Sequence, residues 1–295
     1  GTTEMTHILA TQVMALKRPK RMRARLDGRL GAHVSAKDVA LRLIAELSVA
    51  GARGYAVEYA GSAISAMPIE QRMTLCNLNI EMGGRSGFVA PDDATFAWLA
   101  GRPYAPQGAM WDRALEHWRT LVTDDDAAFD CEVTLDCGTL EPQITWGTDP
   151  SQVVGISGRV PEPATLDARR RPAAESAFTY MGLQPGTPLL GLPVNRVFIG
   201  SCTNSRLPDL ELAAAVVRGR HVAKGVSAMV VPGSSTVKRE AEAAGLDRVF
   251  REAGFFWGES GCSMCAGGNG DRGAPGERIV STTNRNFENR QGPKT

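Results

Sequence analysis

The stretch Val194-Asn-Arg-Val-Phe-Ile-Gly200-Ser-Cys202-Thr-Asn-Ser205 decides the fold. Its first half reads as a strand, and Gly200 breaks that strand into a run of small polar residues. A helix is predicted from about Pro208 to Arg218. A second strand follows at Ala228 to Val231, ending at Pro232-Gly233, and then a helix through Lys238, Glu240 and Ala244. Arg278 to Ser281 reads as a third strand. Alternating strands and helices predict a parallel, doubly wound α/β sheet, with ligands beyond the carboxyl ends of its strands. Cys202 lies at one such end.

The same alternation extends upstream. Arg21 to Asp27 alternates basic and apolar residues before Gly28, the pattern of a half-buried strand and turn. Ser35-Ala-Lys-Asp38 is an acidic version of a capping box, followed by Val39, Leu41, Leu43, Ile44 and Leu47. Tyr55 to Tyr59 is a short strand. Helices are predicted at about Ile69 to Met82, Asp93 to Leu99 and Met110 to Leu121. The first charge cluster, Asp124-Asp125-Asp126, reads either as a linker or as a solvated loop, and the domain boundary is placed there. Three segments result: 1–17, 18–126 and 127–295. At the start, Met5, Ile8, Leu9, Val13 and Leu16 sit at helical spacings behind Gly1, as though a helix were already under way. The chain closes on Gly292-Pro293-Lys294-Thr295. Both ends predict a piece of a longer protein.

Composition excludes several classes. The 295 residues are 43% hydrophobic and 22% charged, which argues for a folded globular chain rather than disorder. Thirty-three Lys+Arg balance thirty-two Asp+Glu, a net charge of +1, so no nucleic-acid or membrane-surface partner is expected. No apolar run approaches the ~20 residues of a membrane span. No secretory signal is seen, and a cytoplasmic location is expected. Thirty-two glycines point to tight turns or close backbone approach.

The six cysteines, Cys76, Cys131, Cys137, Cys202, Cys262 and Cys265, are expected to be reduced thiols in so long a chain. Cys262-Ser-Met-Cys265 is a C-x-x-C whose spacing alone leaves four readings open. A redox dithiol wants a helix after the motif, whereas Gly267, Gly268 and Gly270 follow here. A structural zinc site wants a second ligand pair, and His7, His33, His117 and His221 are scattered. An iron–sulfur centre and an inert pair are the other two. Gly268-Asn-Gly270-Asp-Arg-Gly273 matches the dinucleotide fingerprint G-x-G-x-x-G. It follows a C-x-x-C instead of a strand, so that reading is rejected.

Three stretches together resemble the aconitase superfamily: Phe198-Ile-Gly-Ser-Cys202-Thr-Asn-Ser-Arg206, Gly261-Cys262-Ser-Met-Cys265, and Ser281-Thr-Thr-Asn284-Arg285-Asn286-Phe287-Glu-Asn-Arg290. Within it they are most similar to the large subunits of 3-isopropylmalate dehydratases. The similarity continues through Thr74-Leu-Cys-Asn77-Leu-Asn-Ile-Glu81-Met-Gly and Gly101-Arg-Pro-Tyr-Ala-Pro, covering nearly the whole chain.

That resemblance implies an aconitase-like α/β fold of doubly wound parallel sheets with flanking helices. Residues 18–126 would be a second domain, 127–295 a third carrying the cluster cysteines, and 1–17 the tail of a missing N-terminal domain. It implies a [4Fe-4S] cluster held by Cys202, Cys262 and Cys265, with one iron left open as a Lewis acid. It implies that Arg285 and Arg290 clamp substrate carboxylates through paired donors. Asn204 and Asn284 would line the cluster, and Asn77 and Glu81, one helical turn apart, would be catalytic. Cys76, Cys131 and Cys137 fall outside the motifs and read as small core hydrophobes.

The implied reaction is a hydro-lyase isomerisation of 2-isopropylmalate and 3-isopropylmalate in leucine biosynthesis, with a separate small subunit supplying the base. The chain alone is expected to be inactive, because the family's N-terminal Asp and His residues are absent. Alternatives are a hydratase for citraconate, maleate, homoaconitate or aconitate, an inactive binding or assembly fragment, and a zinc-stabilised domain. The first is raised by Ala266-Gly267-Gly268-Asn269, where the family's isomerases carry bulkier residues.

Overall fold

The computed structural model describes residues 2–267 and 270–294. Gly1, Gly268, Asn269 and Thr295 lie outside the described residues, so the sequence readings that rest on them are not addressed. The chain starts with α1 (Thr2–Thr11). The helix predicted to run on past Val13 stops there, with Gln12 in the left-handed region at φ 56°. Met5, Leu9, Val13 and Leu16 are all exposed.

A four-stranded sheet follows. Its elements in order are β1 (Lys20–Asp27), α2 (Ala36–Leu47), β2 (Tyr55–Ala60), α3 (Ser62–Ala66), α4 (Ile69–Leu78) and β3 (Ser86–Phe88). Then come α5 (Asp93–Leu99), α6 (Ala109–Arg119) and β4 (Cys131–Asp136). The strand order is β3-β2-β1-β4, all parallel. On β1 the expected alternation holds: Met22, Ala24 and Leu26 face the core, and Arg21, Arg23 and Arg25 face away. The core under this sheet joins those residues to Val39, Leu43 and Ile44 of α2, Val57 of β2, and Leu75 and Leu78 of α4. Apolar residues at i, i+4 and i+5 on α2 give it one buried stripe.

The predicted boundary at Asp124–Asp126 is corrected. β4 lies beyond it in sequence yet pairs with β1, Met22 against Cys131 through Asp27 against Asp136. The acidic run is therefore a loop within the first sheet's span. The physical reason is that Val133 and Leu135 alternate with polar residues and complete the same core.

A small antiparallel pair, β5 (Gln143–Thr145) with β6 (Val153–Gly155), and α7 (Arg171–Met181) form a satellite cluster around Trp146 and Phe178. The rings of Trp146 and Phe178 stack with centroids 5.1 Å apart. The second sheet comprises β7 (Arg196–Ile199), α8 (Leu207–Val217), β8 (Ser227–Val230), α9 (Ser235–Ala243), α10 (Leu246–Glu252), β9 (Phe256–Trp257) and β10 (Ile279–Ser281). Its order is β10-β7-β8-β9, again all parallel. One core (Leu210, Val230, Val249, Phe250, Trp257) lies under its helices, and a smaller one (Phe198, Val231, Met264) under the carboxyl ends of β7 and β8. Among the described residues, no helix is long and apolar enough to cross a membrane.

Candidate active site

In a parallel sheet, a crevice opens at the carboxyl edge where successive connections leave in opposite directions. In the second sheet that point lies between β7 and β10, since β8 and β9 lie on one side of β7 and β10 on the other. The loops leaving β7 and β10 carry Cys202 and Asn284-Arg285.

The β7 loop turns sharply. A Cβ on Gly200 would fall 2.2 Å from the Phe198 ring, so only glycine fits. Ser201 follows at φ 86°, a left-handed conformation costly for a residue with a Cβ. This strained turn leaves Cys202 exposed and buries Ser201, Thr203, Asn204 and Ser205. Ser205 Oγ donates to the Val231 carbonyl at 2.8 Å, and the Gly233 N–H to the Ser205 carbonyl at 2.9 Å. The end of β8 thus packs directly against the cysteine loop.

Cys262-Ser-Met-Cys265 forms a single tight turn, with the Cys265 N–H bonded to the Cys262 carbonyl at 2.8 Å. Met264 is fully buried among Phe198 and Val231, and half-buried Cys265 packs on the same cluster. Burying the side chain between the two cysteines anchors the turn at the sheet's carboxyl edge. Cys262 stays exposed, and Ser263 Oγ is held by Asp271 Oδ2 at 2.7 Å.

All three thiols are free and lie along one sheet edge. As soft donors, neither buried in a core nor joined in disulfides, they suit iron or another thiophilic metal. Among the described residues, no three His, Cys, Asp or Glu side chains close on a single ion. The remaining cysteines differ. Cys137 is fully buried and desolvation pushes its thiol up to about 11; burial also raises Cys76. Cys76 and Cys131 pack against the first core, as expected of small hydrophobes.

Some of the predicted polar residues meet at the carboxyl edge of the second sheet, and one pair reaches across to the first. Asn284 Oδ1 accepts from Thr203 Oγ1 at 3.0 Å and from Asn204 Nδ2. Arg285 Nε donates to both carboxylate oxygens of Glu81, at 2.9 and 3.0 Å. Glu81 is buried, whereas Arg285 is 40% exposed and its Nη donors make no hydrogen bond among the described residues. Arg290 stands beside the C-x-x-C segment: a Cβ on Gly267 would lie 3.0 Å from the Arg290 carbonyl. Its Nε is buried without a partner.

Asn77 makes no hydrogen bond to these residues among those described and lies on a different face from Glu81. The helix predicted through Met82 ends at Leu78 and tightens into a 3₁₀ turn over Asn79–Met82, closed by Gly83 at φ 82°. Residues 77 and 81 would share a face of an α-helix, but the tighter turn rotates them apart. Asn77 is exposed and Glu81 buried.

Two cations were missed by sequence reasoning. Lys37 Nζ donates to the Thr282 carbonyl and, at 2.8 Å, to that of Thr283. Desolvation pushes its ammonium down to about 8. Arg206 Nη1 donates to Thr74 Oγ1 at 2.7 Å, the Glu70 carbonyl at 2.9 Å and the Thr203 carbonyl at 3.2 Å. Arg206 stood inside a recognised motif, a usable signal. Lys37 read only as the interior of a helix cap, and nothing local marks its partner 245 residues away.

The sequence profile described as "Aconitase family (aconitate hydratase)" matches residues 1–295. The chain belongs to the aconitase family. It is 59% identical over 295 residues to 3-isopropylmalate dehydratase large subunit 1 of Bradyrhizobium diazoefficiens, covering all of this chain and 62% of that protein. It is 55% identical over 294 residues to the 3-isopropylmalate dehydratase large subunit of Roseiflexus castenholzii, covering 99% of this chain and 62% of that one. The chain therefore spans about 62% of the length of these aconitase-family relatives. The crystal structure of Thermococcus kodakaraensis aconitase X in its holo-form overlaps 90% of this chain and 49% of that one, with TM-score 0.42 and 11% identity. That overlap is too loose to bear on the site.

Proposed function

We propose that this chain is the cluster- and carboxylate-binding part of a cytoplasmic hydro-lyase that interconverts 2-isopropylmalate and 3-isopropylmalate in leucine biosynthesis, working with a small subunit. The observation that carries the reading is the Arg285–Glu81 pair: a partly exposed guanidinium whose Nη donors make no hydrogen bond among the described residues, one residue beyond Asn284, which bonds Thr203 and Asn204 of the Cys202 loop. The names and identities of the two relatives support the substrate.

Cys202, Cys262 and Cys265 would hold a [4Fe-4S] cluster, which when bound supplies a Lewis acid for a substrate hydroxyl and carboxylate. The chain's own residues do the rest of the binding. Glu81 occupies Arg285 Nε and so aims the two Nη groups outward, where a carboxylate can take both in parallel. Arg290 Nε is a buried donor lacking an acceptor, a second place for an oxygen of a diacid. Asn284 Oδ1 takes donors from Thr203 and Asn204, which ties the loop before Arg285 to the loop bearing Cys202. The proton-abstracting base comes from the small subunit.

A hydratase for another small diacid, such as citraconate, maleate, homoaconitate or aconitate, is the second reading. The observation favouring it is the small Ala266-Gly267 pair, in place of bulkier residues, where a Cβ on Gly267 would lie 3.0 Å from the Arg290 carbonyl. The test is turnover of each diacid by the complete enzyme with its small subunit, followed through absorbance of the alkene diacid. Arg285→Lys should lower kcat/KM for isopropylmalate by roughly tenfold to a hundredfold, the loss of about 1.5–3 kcal/mol of charged hydrogen bonding, with iron content unchanged. Unaltered kinetics would remove Arg285 from the substrate site, and faster turnover of another diacid would favour the second reading.

A further inference from the structure

Two cations span the seam between the sheets in opposite directions, and each ends on the backbone of a different loop. Lys37, in the first turn of α2, crosses from the first sheet to the carbonyls of Thr282 and Thr283, immediately before Asn284 and Arg285. Arg206 crosses from the second sheet to α4, bonding the Glu70 carbonyl and Thr74 Oγ1 while also holding the Thr203 carbonyl. Thr74 Oγ1 itself donates to Thr203 O at 3.2 Å. Thr203 directly follows Cys202.

Neither loop has regular structure of its own beyond its strand end, so its carbonyls need donors from elsewhere. Charged donors make the stronger bonds. The two loops also anchor near their strands: the Thr282 N–H bonds the Phe198 carbonyl at 3.0 Å, and Thr282 Oγ1 bridges to Gly200. The strand contacts fix where each loop starts. The cations fix where it goes next.

We propose that Lys37 and Arg206 are separate positioning residues, Lys37 registering the Thr282–Arg285 loop and Arg206 registering the Cys202–Asn204 loop against the first sheet. The consequences for catalysis rest on the reading of the site given above. Under it, Lys37 governs substrate carboxylate binding and Arg206 governs how firmly the Cys202 thiolate is held. Side chains of the two loops meet at Asn284, so some spill-over is expected, smaller than the direct effect.

The test is hydrogen–deuterium exchange on the full-length protein in complex with its small subunit. Lys37→Met should speed exchange of the amides at 282–286 by about tenfold or more, with a smaller change at 201–206. Arg206→Met should do the reverse. Lys37→Arg and Arg206→Lys keep a charged donor and should recover part of the protection; if a Met variant does not fold, these two carry the test, with loosening confined to each one's own loop. In the loaded enzyme, Lys37→Met should raise KM by about tenfold with normal iron content, and Arg206→Met should shed iron faster in air with KM unchanged. Exchange that rises evenly over both sheets, or at neither loop, overturns the proposal. Loosening confined to the expected loop, with KM and iron retention unmoved, upholds the positioning and overturns the substrate-site reading instead.

Discussion

In the first sheet β2 and β3 lie on one side of β1 and β4 returns to the other; in the second, β8 and β9 lie on one side of β7 and β10 returns to the other. The connectivity is the same, so each sheet has one crevice at its carboxyl edge. The two crevices are filled differently. Between β1 and β4, Asp136 Oδ1 takes the N–H of Gly138, while Asp27 Oδ1 turns to the β2 side and takes the N–H and hydroxyl of Ser62. A Cβ on Gly28 would meet Asp136 Oδ1 at 2.8 Å and the Gly138 nitrogen at 2.9 Å, so backbone already occupies the crevice. Between β7 and β10, a strained Ser201 lifts Cys202 out to solvent, while Thr203, Asn204 and Asn284 form a polar floor. Topology provides a place for a ligand, and side chains decide whether it stays open. Under the proposed function, the first sheet serves mainly as scaffold, lending Glu81, and the second carries the thiols and Arg285.

The largest effects should come from the cores, and they should separate the two roles. Leu43→Ala under the first sheet removes a fully buried side chain and should cost about 2–5 kcal/mol in denaturant unfolding. Phe198→Ala under the second should cost about 3–5 kcal/mol. Only Phe198→Ala should also weaken iron retention, because Met264 and Cys265 pack on that ring. Equal iron loss in both variants would mean that the scaffold and the chemical sheet are not distinct.

A smaller effect concerns acid. Hydrogen bonds from the Arg72 guanidinium hold Asp92 below the usual carboxylate range, and Arg196 does the same for Glu277. Both folded values are depressed. Each pair's contribution is therefore complete above the unfolded values, 3.8 and 4.5, and is lost as pH falls through the lower folded values. Asp92→Asn should flatten this acid limb and cost about 1.5 kcal/mol near neutrality, since Arg72 is buried and loses its bidentate partner. Glu277→Gln, in the second sheet, should cost less, under about 1 kcal/mol, because both partners are partly solvated. Urea titrations from pH 2.5 to 7 check both, and a larger loss for Glu277→Gln would reverse the ranking of the two sheets.

Much of the fold was legible because its signals are local. The alternation on β1, the apolar stripe of α2 and the Gly200 break after β7 are each written within a dozen residues. β4 was passed over although Val133 and Leu135 alternate, since its meaning lies in pairing with β1 more than a hundred residues earlier. β9 is two residues long, too short for any periodicity. At the site, the Asn284–Asn204 contact and the Arg285–Glu81 pair join residues that motif resemblance had already selected. The expected shared face of Asn77 and Glu81 was not legible, because the change from α to 3₁₀ after Leu78 goes with Gly83 at φ 82° and with Gly84, whose Cβ would strike the Asn79 amide at 2.1 Å. Lys37 was invisible because its function is a contact with backbone carbonyls, which carry no residue identity.

Metal content decides whether the second crevice holds the proposed iron–sulfur cluster on three thiols. Iron and acid-labile sulfide per chain should be measured after anaerobic reconstitution of the wild type and of five Cys→Ser variants. Cys202→Ser, Cys262→Ser and Cys265→Ser should each fail to retain a stable cluster and lose the brown colour, because a hydroxyl is a poor, high-pKa substitute for a soft thiolate. Cys131→Ser and Cys137→Ser should match the wild type. Equal iron loss in all five variants, or a wild type that takes up stoichiometric zinc and no iron, would contradict a cluster on these three thiols.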